Sequence, residues 1–167
     1  MIDPQADPFA GYLPGQDIGV SRWLEVSQAM IDEFGAVTHD PDPMHINPQW
    51  ATANGPYGGT IAFGFLSLSL LTCFLHDAMG TNTDDHEDRG GYFLNYGFDR
   101  VRLITPVPVG SRLRGRFALT ERRQDEKSRN ISQMHVEIEI ENSARPALVA
   151  EWLAMWVPHS ASLAAAS

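Results

Sequence analysis

Apolar and polar residues alternate in the C-terminal half of the chain, which is the pattern of strands with one buried face. The clearest example is His-Val-Glu-Ile-Glu-Ile at residues 135–140. The predicted strands cover residues 92–103, 112–121, 131–140 and 148–157. Turn-forming residues stand between them, at 110–111, 125–128 and 142–146. We therefore expect consecutive antiparallel strands that share one core face.

Residues 60–79 are apolar on nearly every side, which indicates a helix surrounded by protein. At ~1.5 Å per residue this helix would be roughly 30 Å long. A membrane span is not expected, because basic flanks are missing and polar side chains interrupt the run. These side chains are Ser67, Ser69, Thr72, His76 and Asp77. Cys73 is expected to be a small buried thiol. An apolar helix followed by long strands predicts a sheet curled around the helix.

The N-terminal half predicts shorter elements. Residues 18–26 indicate a strand, and Ser27 is suited to cap a helix that extends to about residue 37. Residues 38–48 contain three prolines and predict a stiff loop. Pro48 then suits the first turn of a short helix.

The length of 167 residues and the mass of 18.5 kDa suit one domain, which we expect at residues 16–158. Residues 1–15 are rich in Pro, Asp and Gly. They predict a flexible leader rather than a signal peptide, because they have neither a cationic start nor an apolar stretch. The Ala-rich residues 159–167 predict a frayed tail. A cytoplasmic protein is the simplest expectation.

Acidic residues dominate the charge, with 21 Asp and Glu against 12 Lys and Arg and a formal net charge of -9. Such a surface repels phosphate backbones and anionic lipid, so neither nucleic acid nor a membrane is an expected partner. An anionic ligand such as coenzyme A would need a local basic patch, although most arginines are expected simply to face water. The arginines that could supply the patch are Arg100, Arg102, Arg112, Arg114, Arg116, Arg122 and Arg123.

Metal and cofactor sites are not expected. Residues 81–90 place His86 among carboxylates, but carboxylate-rich loops are usually just solvated. No glycine-rich phosphate loop follows a strand at the spacing that a nucleotide site requires. This absence argues against a dehydrogenase and against a nucleotide hydrolase.

The segment from Asp40 to His45, Asp-Pro-Asp-Pro-Met-His, places a carboxylate and an imidazole five positions apart on a proline-stiffened loop. Backbone geometry then sets their separation, as general acid-base work on a bound water requires. The alternative is a structural turn, in which Asp40 and Asp42 cap backbone N–H groups and His45 packs against its neighbours. The residues alone leave both interpretations open.

A glycine-rich stretch, Gly58-Gly59-Thr60-Ile61-Ala62-Phe63-Gly64, leads into the apolar helix. Free backbone N–H groups at the start of a helix form a ready site for an oxyanion. Glycines here equally allow a helix and a sheet to approach closely. Again both interpretations stay open.

Together with two further segments, residues 15–21 and 95–111, these two features carry a family resemblance. They lie in residues 40–45 and 58–71. In chain order the four segments resemble the MaoC-like dehydratases, and most of all the branch named after nodulation protein N. The resemblance extends over about residues 15–158. It implies an α+β hot-dog fold, with an antiparallel sheet wrapped around a long central helix, and a homodimer. It also implies acyl-CoA thioester substrates, with R-specific hydration of trans-2-enoyl-CoA as the archetypal reaction.

The resemblance further implies roles for particular residues. The acid of the family's D-x-N-P-x-H motif falls on Asp40, and the imidazole falls on His45. The family's oxyanion glycine falls on Gly64. A hydroxyl residue that lines the pocket falls on Thr72.

Some neighbouring positions depart from the family pattern. Asp42 replaces the usual Asn, His39 a Gly, Asn47 an Asp and Phe63 a His. A second carboxylate at Asp42 is expected to tune Asp40, because like charges close together raise one of their pKa values. The departure at Phe63 bears on substrate choice.

The expected activity is R-specific hydration or dehydration of 2-enoyl-CoA and 3-hydroxyacyl-CoA thioesters. In it, Asp40 acts mainly as base and His45 manages the proton destined for C2. A hot-dog acyl-CoA thioesterase is the first alternative. Such enzymes commonly carry an acidic residue on the central helix, and residues 64–76 contain none. A non-catalytic acyl-CoA-binding module is the second alternative, motivated by the departures from the motif.

Overall fold

The structure, a computed structural model, describes residues 7–81, 91–127 and 129–158. The helices of these residues are α1 (Gln28–Thr38), α2 (Pro43–Ile46), α3 (Pro48–Asn54), α4 (Gly64–Ser69) and α5 (Leu71–Ala78). The strands are β1 (Asp17–Val20), β2 (Leu24–Glu25), β3 (Gly91–Leu103), β4 (Arg112–Gln124), β5 (Asn130–Ile140) and β6 (Leu148–Pro158). The predicted tail and the part of the acidic segment that contains His86 lie outside the described residues.

The described strands form one antiparallel sheet with the order β1-β4-β5-β6-β3, and β2 also pairs with β4. The expected consecutive pairing is found for β4, β5 and β6. It is wrong for β3, which pairs along its whole length with β6. The connection after β3 contains Pro106 and Pro108, which lack the N–H donors of a tight hairpin. Because β6 and β5 lie between β3 and β4, the chain crosses the sheet to reach β4.

The long apolar segment forms two short helices rather than one. Residues 60–63 precede the first helix, and Ala62 N donates to Val107 O at 2.8 Å. Consequently α4 begins only at Gly64, and Leu70 separates it from α5. The predicted single helix over residues 60–79 is corrected to this pair, because hydrogen bonding to the β3–β4 connection removes its first turn.

Only one side of α4 and α5 packs on the sheet. The core there contains Leu66, Leu71, Phe74, Phe117 and Trp152. On the other side Phe65 is 71% exposed. The prediction of a helix surrounded by protein is therefore wrong for the single chain. The prediction of a buried thiol is also wrong, because Cys73 lies on the uncovered side and is exposed.

The N-terminal residues from Asp7 onward are packed, although the sequence predicts a flexible leader through residue 15. Phe9 is fully buried in the main core. The carboxylate of Asp7 is also buried, and it accepts hydrogen bonds from Arg122 at 2.5 Å and from Asn130 at 3.0 Å. The expected boundary is therefore too late, because an aromatic core residue and an ion pair already hold the chain here.

Shorter elements follow the sequence more closely. The strand expected over residues 18–26 is divided into β1 and β2, and between them Arg22 binds Asp77 of α5 through its backbone N and its Nε. Ser27 caps α1 as predicted, accepting from Met30 N at 3.3 Å. Of the helices described, none has the length and apolar composition that a membrane crossing demands.

Candidate active site

His45, in the single turn of α2, is held by one hydrogen bond and one ring contact. Its Nδ1 lies 2.7 Å from the carbonyl oxygen of Ile61. Because a carbonyl oxygen only accepts, Nδ1 carries a proton, and in the neutral form of the ring Nε2 then has the lone pair. The ring of Phe63 packs on the imidazole, with centroids 3.9 Å apart. The half-buried imidazole of His45 therefore holds Nε2 in a fixed orientation.

A succession of caps fixes the loop that carries Asp40 and His45. At the end of α1, His39 adopts a left-handed φ of 56°, and Asp40 N donates back to the last turn of the helix at 3.0 Å. The carboxylate of Asp42 caps α2, accepting from Met44 N at 2.9 Å. The stiff loop expected from its prolines therefore contains one short helix. Asp42 caps a backbone N–H group there, as expected if the segment is a structural turn.

The other departures from the family pattern also fit the local structure. His39 stands at the left-handed position, where glycine is the usual residue because it lacks a Cβ. Asn47 caps α3 by accepting a backbone N–H at 2.9 Å. Phe63 supplies the ring against His45. The loop thus keeps its shape with these side chains in place.

The carboxylate of Asp40 is exposed and lies outside the cavity that His45 lines. One oxygen accepts from Asp42 N at 3.1 Å. Asp40 borders a separate, open depression formed with the end of α1. The single chain brings His45 and Gly64 to one cavity and leaves the Asp40 carboxylate outside it.

A cavity of about 180 Å³ opens beside His45, between α4 and the connection that follows β3. Its apolar walls come from Ile61, Ala62, Leu103, Pro106, Val107 and Ala147. The polar side chains that line it are His45, Ser67 and Thr105. A mainly apolar cavity with a few fixed polar groups is the usual form of a small-molecule site.

Gly64 begins α4 and lines this cavity. Its N–H has no hydrogen-bond acceptor among the described residues. A Cβ at this position would collide with Leu103 Cδ1. Both interpretations of the glycine therefore apply, since it allows α4 to approach β3 closely and also leaves a backbone donor unused.

Thr72, which the family resemblance places in the pocket, does not line the cavity of His45. It is exposed and belongs to a smaller cavity of about 40 Å³, which Trp152 also lines. The two cavities are lined by different residues throughout. The break at Leu70 explains the separation in part, because it divides the long helix on which both sites were expected.

The hydroxyls that do line the cavity of His45 belong to Ser67 and Thr105, which sequence reasoning missed. Ser67 follows Gly64 by three residues and so shares its helix face. That spacing could have identified Ser67. Thr105 could not have been found, because only the crossing connection after β3 brings it to α4.

Most strand arginines are paired with carboxylates. The pairs are Arg112–Glu141, Arg114–Glu139, Arg116–Glu139, Arg122–Asp7 and Arg123–Glu121. In the described part of the chain, the exposed Arg100 and Arg102 have no carboxylate within ion-pair distance. Free positive charge therefore remains on β3, next in sequence to Leu103 of the cavity wall. Within the same part, no three His, Cys, Asp or Glu side chains are grouped to hold a metal.

The sheet and the helices packed on it define a hot-dog fold of the α+β class, as the resemblance predicts. A solved structure described as the (R)-hydratase from A. caviae involved in PHA biosynthesis has a TM-score of 0.66 and 22% sequence identity. The match covers 86% of this chain and 96% of that chain.

The sequence identifies the family within that fold. A family model described as a MaoC like domain matches residues 9–142. Nodulation protein N of Rhizobium meliloti (strain 1021) is 44% identical over 143 residues, which are 86% of each protein. The 3-hydroxyacyl-thioester dehydratase Z of Mycobacterium tuberculosis (strain ATCC 25618 / H37Rv) is 34% identical over 144 residues, 86% of this chain and 90% of that protein. The chain belongs to the MaoC-like family.

Proposed function

We propose that the chain is an (R)-specific hydratase or dehydratase of 2-enoyl-CoA and 3-hydroxyacyl-CoA thioesters. The observation that carries the proposal is the basic Nε2 of His45, fixed beside a mainly apolar cavity that Gly64 also lines. The names of two related proteins, a 3-hydroxyacyl-thioester dehydratase and an (R)-hydratase, support the same reaction class.

In the proposed reaction, water adds across the C2=C3 double bond of the thioester. Nε2 of His45 accepts a proton from the water as its oxygen bonds to C3, and the π electron pair moves to the thioester oxygen. The enolate then returns this pair to C2, which takes the proton from His45. Water thus supplies both the hydroxyl on C3 and the hydrogen on C2. The fixed Nδ1–H favours His45 as the initial base, a role that the sequence alone assigns to Asp40.

Asp40 is the second acid-base group in this proposal, and its carboxylate accepts a hydrogen bond from the reacting water. Its motif position relative to His45 supports the role, and the capped loop fixes the backbone between them. The only hydrogen bond that its carboxylate makes among the described residues is the one from Asp42 N, so it has lone pairs left to accept from a water. Each such group typically contributes about 10²–10⁴-fold in rate.

We assign the N–H of Gly64 to the thioester oxygen. That oxygen gains negative charge as C2=C3 reacts, and a fixed donor is most effective where charge develops. The donor is unused in the structure, which supports this assignment. Arg100 and Arg102 would provide positive charge for the coenzyme A phosphates, because they are exposed and free of carboxylate partners in the described chain.

We also propose that the protein is a homodimer that pairs through β3. This strand of 13 residues has a free edge in the described sheet. It also exposes Tyr92, Leu94, Tyr96, Phe98 and Leu103. A long apolar edge promotes pairing with another chain, and a second copy would cover it. Analytical ultracentrifugation tests the homodimer, and a monomer at micromolar concentration would contradict it.

The test of the proposed function is hydration of crotonyl-CoA, followed as loss of the enoyl absorbance. We expect wild-type turnover and a loss of roughly 10²-fold or more in Asp40→Asn and in His45→Gln. Thermal unfolding should show that both variants remain folded. A double variant as fast as wild type would contradict the mechanism.

Free thiol should be measured in the same reactions. Thiol release without formation of the 3-hydroxyacyl product would identify a thioesterase instead. Binding of acyl-CoA with no turnover across a chain-length series would identify a non-catalytic module. Residues 64–76, which form α4 and most of α5, contain no Asp or Glu, so thioester hydrolysis lacks the acidic residue expected on the central helix.

A further inference from the structure

Ser67 is a buried residue whose hydroxyl has no hydrogen-bond partner in the described chain. Its side chain lines the cavity beside His45, and the residue is only 3% exposed. Three other helical hydroxyls, those of Thr38, Thr52 and Ser69, bond back to a carbonyl four residues earlier. Ser69, on the same helix, donates to Phe65 O at 2.7 Å, and Thr52 donates to Pro48 O at 2.8 Å. Ser67 does not make this bond, so its hydroxyl stays available to the cavity.

Thr105 supplies a second unpartnered hydroxyl to the same cavity. Its Oγ1 is buried and makes no hydrogen bond with the described residues. The backbone of Thr105 is tied to the sheet, since its N–H donates to Ala147 O at 3.3 Å. The two hydroxyls therefore come from separate elements, α4 and the β3–β4 connection, and both residues line the cavity, whose remaining polar side chain is that of His45.

These hydroxyls change which ligands the cavity favours. In the free protein the cavity has room for several waters that can bond to Ser67, whereas Thr105 Oγ1 is buried from water and stays unsatisfied until a ligand group reaches it. An unsubstituted alkyl chain displaces such waters and leaves both hydroxyls unsatisfied, which weakens its binding. A chain that carries its own polar group replaces the lost hydrogen bonds. Sites built to hydrogen-bond a ligand discriminate strongly against analogues that cannot do so.

We infer that the cavity beside His45 selects acyl groups that carry a hydrogen-bonding substituent, such as a carbonyl or a hydroxyl, over plain alkyl acyl groups. Ser67 and Thr105 are the residues that set this preference. The inference rests on the proposed function in taking an acyl-CoA thioester as the ligand. It does not depend on turnover.

The test compares the binding of pentanoyl-CoA and 4-oxopentanoyl-CoA by titration calorimetry. The two ligands differ by one carbonyl, and both lack the C2=C3 double bond, so neither can be hydrated. We expect wild-type protein to bind 4-oxopentanoyl-CoA about tenfold more tightly. In Ser67→Ala and in Thr105→Val this ratio should fall to about twofold. Pentanoyl-CoA should bind more tightly once the Ser67 hydroxyl is removed, and 4-oxopentanoyl-CoA should lose a hydrogen bond once the Thr105 hydroxyl is removed.

Ser69→Ala is the matched control, because its hydroxyl lies on the same helix but is exposed and already bonded. It should keep the wild-type ratio. Thermal unfolding identifies any variant that fails to fold, and the two variants are independent because they lie on different elements. Equal affinities for the two ligands in wild type, no binding of either, or an unchanged ratio in both folded variants would overturn the inference.

The outcome separates this inference from the proposed function. Crotonyl-CoA hydration without a binding preference would retain the hydratase and reject the role of the hydroxyls. A binding preference without hydration of any enoyl-CoA would reject the hydratase and retain a site for polar acyl groups.

Discussion

Polar side chains pair with one another on the outward-facing side of the sheet, whereas the hydroxyls in the cavity beside His45 have no partner in the described chain. On the sheet, Arg114 binds Glu139 at 2.5 Å across β4 and β5, and His135 lies 2.8 Å from Glu151 across β5 and β6. In the cavity, the hydroxyls of Ser67 and Thr105 have no partner in the described chain.

The pKa values of the sheet groups show that pairing favours their charged forms. Burial acts to raise the pKa of Glu139, but hydrogen bonds from Arg114 and Arg116 outweigh it, so the pKa lies below its ordinary value. The hydrogen bond with Glu151 raises the pKa of His135. Polar groups that satisfy one another stabilise the fold, whereas unsatisfied groups in a cavity are available to a ligand. The contrast therefore separates structural from functional polar residues.

Gly64→Ala tests the cavity side of the comparison, and we expect it to have the largest effect, a loss of hydration rate. The added methyl group collides with Leu103 Cδ1, and Leu103 is 54% exposed, so its side chain can move and the protein should fold. The moved side chain changes the cavity wall beside the Gly64 N–H, and a small misplacement there can cost about 10²-fold in rate. Crotonyl-CoA hydration measures this loss.

Gly59→Ala is the control for this variant. A Cβ at Gly59 meets no atom within 4 Å, and its φ is outside the left-handed region. Its activity should stay close to wild type. Wild-type activity in Gly64→Ala would show that the cavity does not hold the reacting thioester.

Arg122→Leu tests the paired side of the comparison. Asp7 is 4% exposed and binds Arg122 at 2.5 Å, so its carboxylate would lose its cation while remaining buried. We expect the free energy of unfolding to fall by about 2 kcal/mol, less than for a fully orphaned charge because Asn130 still donates to Asp7. Urea unfolding measures the change. Asp7→Asn combined with Arg122→Leu should recover part of the loss, and no recovery would contradict the ion-pair explanation.

Two variants of Asp42 test whether this residue is a structural cap or tunes Asp40. Removing the cap of α2 in Asp42→Ala should lower the free energy of unfolding by about 1 kcal/mol, because Met44 N loses its acceptor. Asp42→Asn should change it by no more than a few tenths, since asparagine caps equally well. Urea unfolding compares them. A shifted pH-rate profile in Asp42→Asn would instead support tuning of Asp40.

The smallest effect concerns the pH dependence of stability at His135. Its pKa is raised from the ordinary value of 6.5, so its pairing with Glu151 stabilises the fold fully below that value and is lost as pH rises through the folded pKa. His135 is 44% exposed, so screening keeps the contribution under ~0.5 kcal/mol.

The measurement for His135 is thermal unfolding of wild type and His135→Gln at about pH 5.5 and about pH 8.5. The variant should be less stable than wild type at the lower pH and nearly equal at the higher pH. A larger difference at the higher pH would contradict the sign of the pKa shift.

Local signals predicted the elements that depend on nearby residues. Ser27 caps α1 as expected, and the alternating strands appear close to their predicted positions. The family, and through it the fold class, also followed from segments read in order. The pairing of β3 with β6 could not be predicted in the same way, because alternation marks a strand without naming its partner. The long apolar run gave no sign that its first residues would bond to Val107 instead of forming a helical turn.

The sequence by itself identified candidate residues for the chemistry, above all His45 and Gly64. It did so because a proline-stiffened loop and a glycine-rich helix start are local features. Tertiary structure decided which groups share a cavity. It left the Asp40 carboxylate outside, placed Thr72 in a different cavity and brought Thr105 to Ser67. These outcomes depend on how the β3–β4 connection crosses the sheet and where the helix breaks, and such long-range packing is set by the whole core.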